Sequence, residues 1–431
     1  MNRRILKLAI PNIISNITIP LVGMADLVMA GWLGGDELIA GIAIGGTIFN
    51  FLYWNFGFLR MGTSGFTAQA YGARDFPLAV RTLLRALSVA FAIALFLLAL
   101  QLPIELLSME VMHGSGGVER WASEYFFVRI WAAPATLGLY ALKGWFIGMQ
   151  NAKTPMWIAI VINVVNVLAS LFFAFTLNMG LCGVALGTVV AQWSGLVMGL
   201  LILFFHYGRL FRGFSFVGLY DSAAMASFFR VNRDIFIRTI CLVSVFTYFT
   251  IASSQMGDTV LAANTLMLQL FTLFSYMMDG FAYAGESLAG RYYGARNGAM
   301  LALASRRILL WGLALSLVVT VVYVVCGQAI LSLFNPSEAI LAVTRVNIWW
   351  AVAIPLMGFM AFLMDGLLVG ITQAALMRNA MVISTAVFFM LYFLLTPVMG
   401  NHALWLSFLI YIFLRGVLQL AFSVKMLFHL H

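Results

Sequence analysis

The sequence predicts an all-α polytopic membrane protein, with twelve transmembrane helices in two pseudo-symmetric six-helix lobes. Three observations predict it. The 431 residues are 63% hydrophobic and only 9% charged, against roughly 25% charged in soluble domains, so a water-facing core cannot hide the apolar surface. The apolar residues fall into stretches of about 20 residues or more, the length that spans a bilayer as a helix. A tetrapeptide, Tyr-Gly-Ala-Arg, stands at 71–74 and again at 293–296, each time closing such a stretch.

In chain order the stretches run over 8–32, 39–70, 82–103, 122–149, 155–177, 183–206, 228–254, 259–290, 302–326, 341–370, 379–398 and 402–427. The start, MNRRILKLAIPN, has a short basic part and no small-residue cleavage site, so it reads as a cytoplasmic lead-in to the first span. The longest polar break, HYGRLFRGFSFVGLYDSAAM, separates the sixth and seventh spans. It divides the chain into an amino-terminal lobe over 1–206, a cytoplasmic linker over 207–227 and a carboxyl-terminal lobe over 228–431.

The basic residues orient the chain. With the amino terminus inside, the cytoplasmic loops carry Arg74, Arg81, Arg85, Lys153, Arg209, Arg212, Arg230, Arg233, Arg291, Arg296, Arg306, Arg307 and Arg378. The opposite loops carry mostly acids, with Arg120 and Arg345 the main exceptions. This is the positive-inside pattern, and it predicts a cytoplasmic location for both termini. The net charge of +9 is therefore an orientation signal. Nucleic acid is excluded as a partner because the basic residues are spread over short loops instead of forming one patch.

Several chemistries are also excluded. Cys182, Cys241 and Cys326 are far apart and show no Cys/His spacing, so neither disulfide nor metal is implied. No G-x-x-x-x-G-K-[ST] is present to bind ATP. No H-E-x-x-H or G-x-S-x-G supports a membrane hydrolase, and the chain does not read as an enzyme.

The tetrapeptide belongs to a longer repeat. An offset of 222 residues also pairs Gly35-Asp36 with Gly257-Asp258, Ala40 with Ala262, Phe49 with Phe271, and Gly144 and Gly148 with Gly366 and Gly370. The glycine of Tyr-Gly-Ala-Arg is expected to stop each helix in a left-handed cap. The arginine beyond it suits the carbonyl end of the helix and anionic headgroups. Six spans per copy is an even number, so both copies start on the same side of the membrane. Parallel repeats of this kind belong to alternating-access transporters with binding sites near the midplane. No segment resembles a selectivity-filter loop.

Charge at membrane depth is costly and seldom idle. Asp26 lies mid-span in LVGMADLVMAG, among the small residues Gly23, Ala25 and Ala30. An apolar medium disfavours a charged carboxyl, so Asp26 can load a proton from one side and lose it to the other when solvent access alternates. A permanent ion pair or a helix-capping carboxyl is the structural alternative. Pro11 and Pro20 interrupt the backbone ladder of the same span, which allows it to bend. Asn163, Asn166 and Ser170 share a face of the fifth span. With Thr188 and Gln192 of the sixth they are candidates for an amino-lobe cavity, or for plain hydrogen bonds between helices.

The carboxyl-terminal lobe has three candidate acids, Asp279 and Glu286 in the eighth span and Asp365 in the tenth. The repeat partners of the first two are Gly57 and Ser64, so these acids are not symmetric structural elements. Arg60, Arg129, Lys143, Arg238 and Arg415 are buried basics available to neutralise them. Function and internal pairing both stay open for each acid. The 24 methionines and 37 phenylalanines are lipid-facing bulk or the lining of a cavity that accepts several ligand shapes.

At the level of whole strings, IPNIISNITIPLVGMADLVMAGWLG resembles the first helix of the multidrug and toxic compound extrusion (MATE) transporters. FLRMGTSGFTAQAYGARD, VRIWAAPATL, VNRDIFIRT, LMDGLLVGITQAALMRN and GNHALWL resemble the DinF-like branch of that family, and the likeness runs from about residue 5 to the last span. The resemblance implies two six-helix lobes, a large cavity, and efflux driven by a proton or sodium gradient. It also implies that Asp26 matches the coupling aspartate, met by the fifth-span face and the sixth span. The family commonly has Asn followed four residues later by Asp, whereas here Asn166 is followed by Ser170. That departure weakens a sodium site in this lobe, which would need several oxygen ligands and compensating charge.

The expectation is thus a proton-coupled antiporter exporting amphipathic, often cationic, organic compounds, a multi-pass monomer in a bacterial inner membrane that needs no cofactor. The alternatives are a sodium-coupled drug antiporter and a flippase for a lipid-linked precursor. A flippase would want an arginine-rich cavity for pyrophosphate, where the mid-membrane charge of the first lobe reads as largely acidic.

Overall fold

The computed structural model describes residues 1–34, 36–112, 116–212, 218–334 and 336–428. Among them twelve helices are long and apolar enough to cross a membrane. They are α1 (Asn2–Leu33), α2 (Glu37–Ala73), α3 (Phe76–Ala99), α4 (Gly117–Gly148), α5 (Lys153–Thr176), α6 (Gly180–Phe211), α7 (Ser222–Gln255), α8 (Asp258–Gly294), α9 (Gly298–Ser332), α10 (Glu338–Gly370), α11 (Ala374–Met399) and α12 (Asn401–Phe428). They match the expected spans one for one and mostly overrun them, because a nucleated helix gains a hydrogen bond for each polar residue it adds at its end. The third span differs: α3 stops at Ala99, and a separate helix, Gln101–Met112, takes the last residues of the expected span and runs on into what reads as loop. α1 stays helical through both Pro11 and Pro20.

Contacts divide the chain into two compact units, Ile14–Ala226 and a second made of Met1–Ile13 with Ser227–His431. The first turns of α1 therefore group with the second half of the chain, and the division falls inside α1 just past Pro11. In the first unit α2 packs along α4, α5 along α6, and α3 against both α2 and α4. In the second unit α8 packs along α10, α11 along α12, and α9 against both α8 and α10. The second set is the first repeated six helices on.

The 222-residue offset is visible in the backbone. Left-handed conformations pair Arg74 (φ 60°) with Arg296 (φ 53°), Gln150 (φ 62°) with Thr372 (φ 54°), and Asn178 (φ 52°) with Gly400 (φ 52°). One residue after each arginine a side chain caps the next helix. Asp75 accepts from the Leu78 amide at 2.9 Å, and Asn297 accepts from the Met300 amide at 3.0 Å.

These pairs correct one expectation. Gly72 and Gly294 do not stop their helices, since both are still helical and the arginine two residues on turns left-handed instead. The next helix begins almost at once, so the turn must be made in one residue, and the cap at 75 or 297 fixes where. A non-glycine residue in that conformation costs about 1–2 kcal/mol, which the two flanking helices hold in place. The other glycine call, Gly35, lies outside the described residues; its partner Gly257 opens α8 at φ 107°.

The paired glycines of α4 and α10 do matter, for packing. A Cβ on Gly144 would fall on the backbone of Arg60, and one on Gly366 on the backbone of Ala282. A Cβ on Gly148 would meet the Ser64 carbonyl at 2.8 Å, and one on Gly370 would fall on the Glu286 carbonyl. Arg60 and Ala282, like Ser64 and Glu286, are again 222 apart. Each pair lets two helices meet backbone to backbone, as small residues do in membrane helices.

The far end of the linker is tied to α3. Arg85 donates through Nε to the Leu219 carbonyl at 2.5 Å and through Nη2 to the Gly218 carbonyl at 2.9 Å. The hydroxyls of Ser88 and Tyr220 meet at 2.9 Å.

Candidate functional site

Asp26 sits two turns from the end of α1 and is only 1% exposed. Its Oδ2 accepts a hydrogen bond from Thr188 of α6 at 3.3 Å, and Thr188 accepts from Asn166 Nδ2 of α5 at 2.9 Å. The Thr188 hydroxyl has a second acceptor, the Val184 carbonyl at 3.4 Å. Its single proton can therefore serve the carboxyl or the helix, but not both. Oδ1 of Asp26 is buried and makes no hydrogen bond. A buried polar atom without a partner is uncommon and costly.

Two turns before Asp26, Asn163 donates to the backbone carbonyl of Thr18 at 3.1 Å. That contact lies in the segment weakened by Pro20, whose missing N–H leaves a carbonyl of the preceding turn without its helical donor. Ser170 faces α6 instead of the carboxyl: it donates to the Val184 carbonyl at 3.3 Å. A Cβ on Gly187 would fall on the Ser170 backbone, so α5 and α6 cross too closely here for a longer side chain. Gln192, one turn beyond Thr188, is half-buried.

Two residues of α4 complete the surroundings of Asp26. Tyr125 and Arg129 both lie within its electrostatic reach. Arg129 donates to the Tyr125 hydroxyl, and its guanidinium lies 5.1 Å from the ring centre of Phe49 and 5.3 Å from that of Tyr125. Such stacking keeps a cation at depth without a full ion pair. Sequence reasoning did not single out Tyr125, and it held Arg129 only as a neutraliser for acids of the other lobe. The four-residue spacing of a tyrosine and an arginine within one apolar span was the available signal. With Arg60, Arg129 and Lys143 inside its spans, the first lobe is not largely acidic, contrary to the expectation.

The carboxyl-terminal acids separate. Asp365 of α10 is an internal ion pair: its Oδ2 takes Arg238 of α7 and, at 2.5 Å, Arg415 of α12. Its Oδ1 accepts from Gln419 at 2.6 Å. Asp279 is half-buried in α8, with Tyr276 in electrostatic reach. Glu286 is 1% exposed, and its backbone carbonyl is the one that Gly370 approaches. A further acid, absent from the sequence reading, is buried Asp234 of α7, which pairs with Arg378 at 2.5 Å and Arg233 at 3.3 Å. Among the described residues no group of three His, Cys, Asp or Glu is placed to hold a metal ion.

The family model MatE matches the chain twice, over residues 11–172 and 235–398. The chain belongs to the MatE family. Members of this family are transporters and not enzymes, and the two matches fall one on each repeat. DNA damage-inducible protein F of Escherichia coli (strain K12) is 35% identical over 414 residues, covering 95% of this chain and 89% of that protein. A protein named probable multidrug resistance protein NorM, from Neisseria meningitidis serogroup B, is 21% identical over 354 residues, covering 81% of this chain and 77% of its own. In fold, this MatE chain is similar to the crystal structure of the Vibrio cholerae MATE transporter VcmN in the bent form. The TM-score is 0.88 at 15% identity, covering 99% of this chain and 97% of that one.

Proposed function

We propose that this MatE transporter is a secondary active antiporter of the bacterial inner membrane, exporting amphipathic, often cationic, organic compounds in exchange for protons by alternating access, with Asp26 as the coupling residue. The observation that carries the proposal is the buried carboxyl of Asp26 on a hydroxyl that has a second acceptor. When Asp26 is ionised, Thr188 donates to it. When Asp26 takes a proton, it becomes a donor, and Thr188 turns back to the Val184 carbonyl. One protonation thus rearranges the contacts between α1 and α6 without leaving a buried donor unpaired. Asn163, holding the Thr18 carbonyl near Pro20, links α5 to the part of α1 that bends most easily.

Protons fit this site better than sodium. Sodium would need a shell of about five or six oxygens with ionised ligands among them. The Arg129 guanidinium in reach of Asp26 opposes a bound cation, and Ser170 offers no second carboxylate. At Asp365 two guanidiniums and an amide already occupy the carboxylate.

Efflux from everted vesicles at a fixed pH gradient, with and without sodium, tests the coupling ion. Export should collapse with the proton gradient and be indifferent to sodium. Asp26→Asn, which keeps shape and removes titration, should reach the membrane and lose gradient-driven export. Sodium-dependent export, or normal export by the variant, would sink the assignment.

A further inference from the structure

We infer that Arg238 and Arg415 form a binding site for the anionic group of an amphipathic cargo, whose apolar body lies on the rings of Phe362, Phe271 and Phe246. The inference adds an anionic or zwitterionic class to the amphipathic, often cationic, cargo of the transport reading above and rests on that reading.

Charge balance is the first ground. Two guanidiniums share the one carboxylate of Asp365, which leaves one positive charge in excess at membrane depth. An uncompensated buried charge is among the costliest features a fold can keep. A structural ion pair needs one arginine; the second asks for another anion.

Unused donors are the second ground. Asp365 has both oxygens engaged, Oδ2 by the two arginines and Oδ1 by Gln419. Yet Nε of Arg238 and Nε of Arg415 are buried and make no hydrogen bond. Arg415 and Gln419 are 3% and 0% exposed, so their positions are fixed by packing. A guanidinium presents paired N–H groups along its edge, which match the two oxygens of a carboxylate or sulfonate. Arg238 keeps 14% of its side chain exposed and gives such a group a way in.

The third ground is what lies beside the guanidiniums. Arg415 stands 5.7 Å over the ring of Phe362. From there the rings run on without a break, Phe362 to Phe271 at 5.9 Å and Phe271 to Phe246 at 5.3 Å. All three rings are half-buried, so each keeps part of its surface uncovered. A basic head next to a run of aromatic faces suits an amphipathic anion or zwitterion, whereas a simple cation meets net repulsion.

The test is equilibrium binding of pyrenebutyrate and of its neutral amide to the purified full-length protein in detergent, read by pyrene fluorescence. The acid should bind at least about tenfold more tightly than the amide, the effect of a charge-assisted hydrogen bond. Arg238→Gln should bring that ratio close to one. Asp365→Asn removes the competing carboxylate and should tighten the acid while leaving the amide unchanged. Equal binding of acid and amide by the unaltered protein, or a ratio that Arg238→Gln does not move, overturns the proposal. A chloride arm at constant ionic strength, with strongly hydrated fluoride as the replacement, separates sources. If chloride abolishes the preference for the acid, the site holds a halide and not cargo. No ion gradient enters the measurement, so its failure leaves the role of Asp26 standing, and a failure of proton coupling leaves this result intact.

Discussion

Thr188 shows at the scale of one residue how a hydroxyl can report a proton it does not carry. Its two acceptors are almost equidistant, at 3.3 Å and 3.4 Å, so the charge on Asp26 decides between them. Thr188→Val keeps the shape and removes the hydroxyl. It should lower proton-driven export by about tenfold, the worth of one hydrogen bond to a charged group, while Thr188→Ser keeps most of it. Export rates in vesicles with matched protein content check this; equal rates for the valine and serine variants would mean the hydroxyl is idle. Asp26, Asn166 and Thr188 were legible in the sequence because a polar residue inside an apolar span stands out. Arg129 stood out too, but its partner did not. It lies 103 residues from Asp26 in sequence, and only the fold, which brings it within electrostatic reach of Asp26, decides that it serves this acid. Asp365 tells the same story, since its arginines come from α7 and α12.

At the scale of the element, helices touch where glycine allows it. Gly148 and Gly370 occupy equivalent places against α2 and α8, so Gly148→Ala and Gly370→Ala should destabilise to a similar degree, each by about 1–3 kcal/mol through overpacking. A Cβ at Gly46 meets nothing within 4 Å, and Gly46→Ala should leave the melting temperature in detergent almost unchanged. Finding all three alike would refute the close-packing account. The existence and order of the membrane-spanning helices were legible, because apolar length alone fixes a span. Helix ends were not. The stop at Arg74 depends on the cap at Asp75 and on how soon α3 must begin, whereas glycine two residues earlier looked like the obvious breaker. The helix Gln101–Met112 was hidden because Leu100 interrupts it from α3 without a glycine or a change of composition.

For the whole molecule, the segment joining the repeats is held down. Arg85 and Ser88 fix residues 218–220 to α3, the arginine by charge-assisted hydrogen bonds to backbone and the serine by its hydroxyl contact with Tyr220. Arg85→Ala should free that end and speed tryptic cleavage at Arg209 and Arg212 several-fold, since a protease needs a locally released chain. The positive-inside pattern predicts that these arginines face the cytoplasm, so cleavage should occur in everted vesicles and not in right-side-out spheroplasts. Cutting from outside would reverse the proposed orientation.

The left-handed residues paired at 74 and 296, 150 and 372, and 178 and 400 also carry a history. A helix stop placed three times over in the same register is the trace of one gene copied and joined to itself. Its ancestor was a six-helix chain, and an even number of spans meant that the second copy inserted in the same sense as the first, with no extra span needed at the junction. Duplication then released each copy from the other's chemistry. Where one copy has Gly57 and Ser64, the other has Asp279 and Glu286, so the two copies differ in chemistry on one shared scaffold.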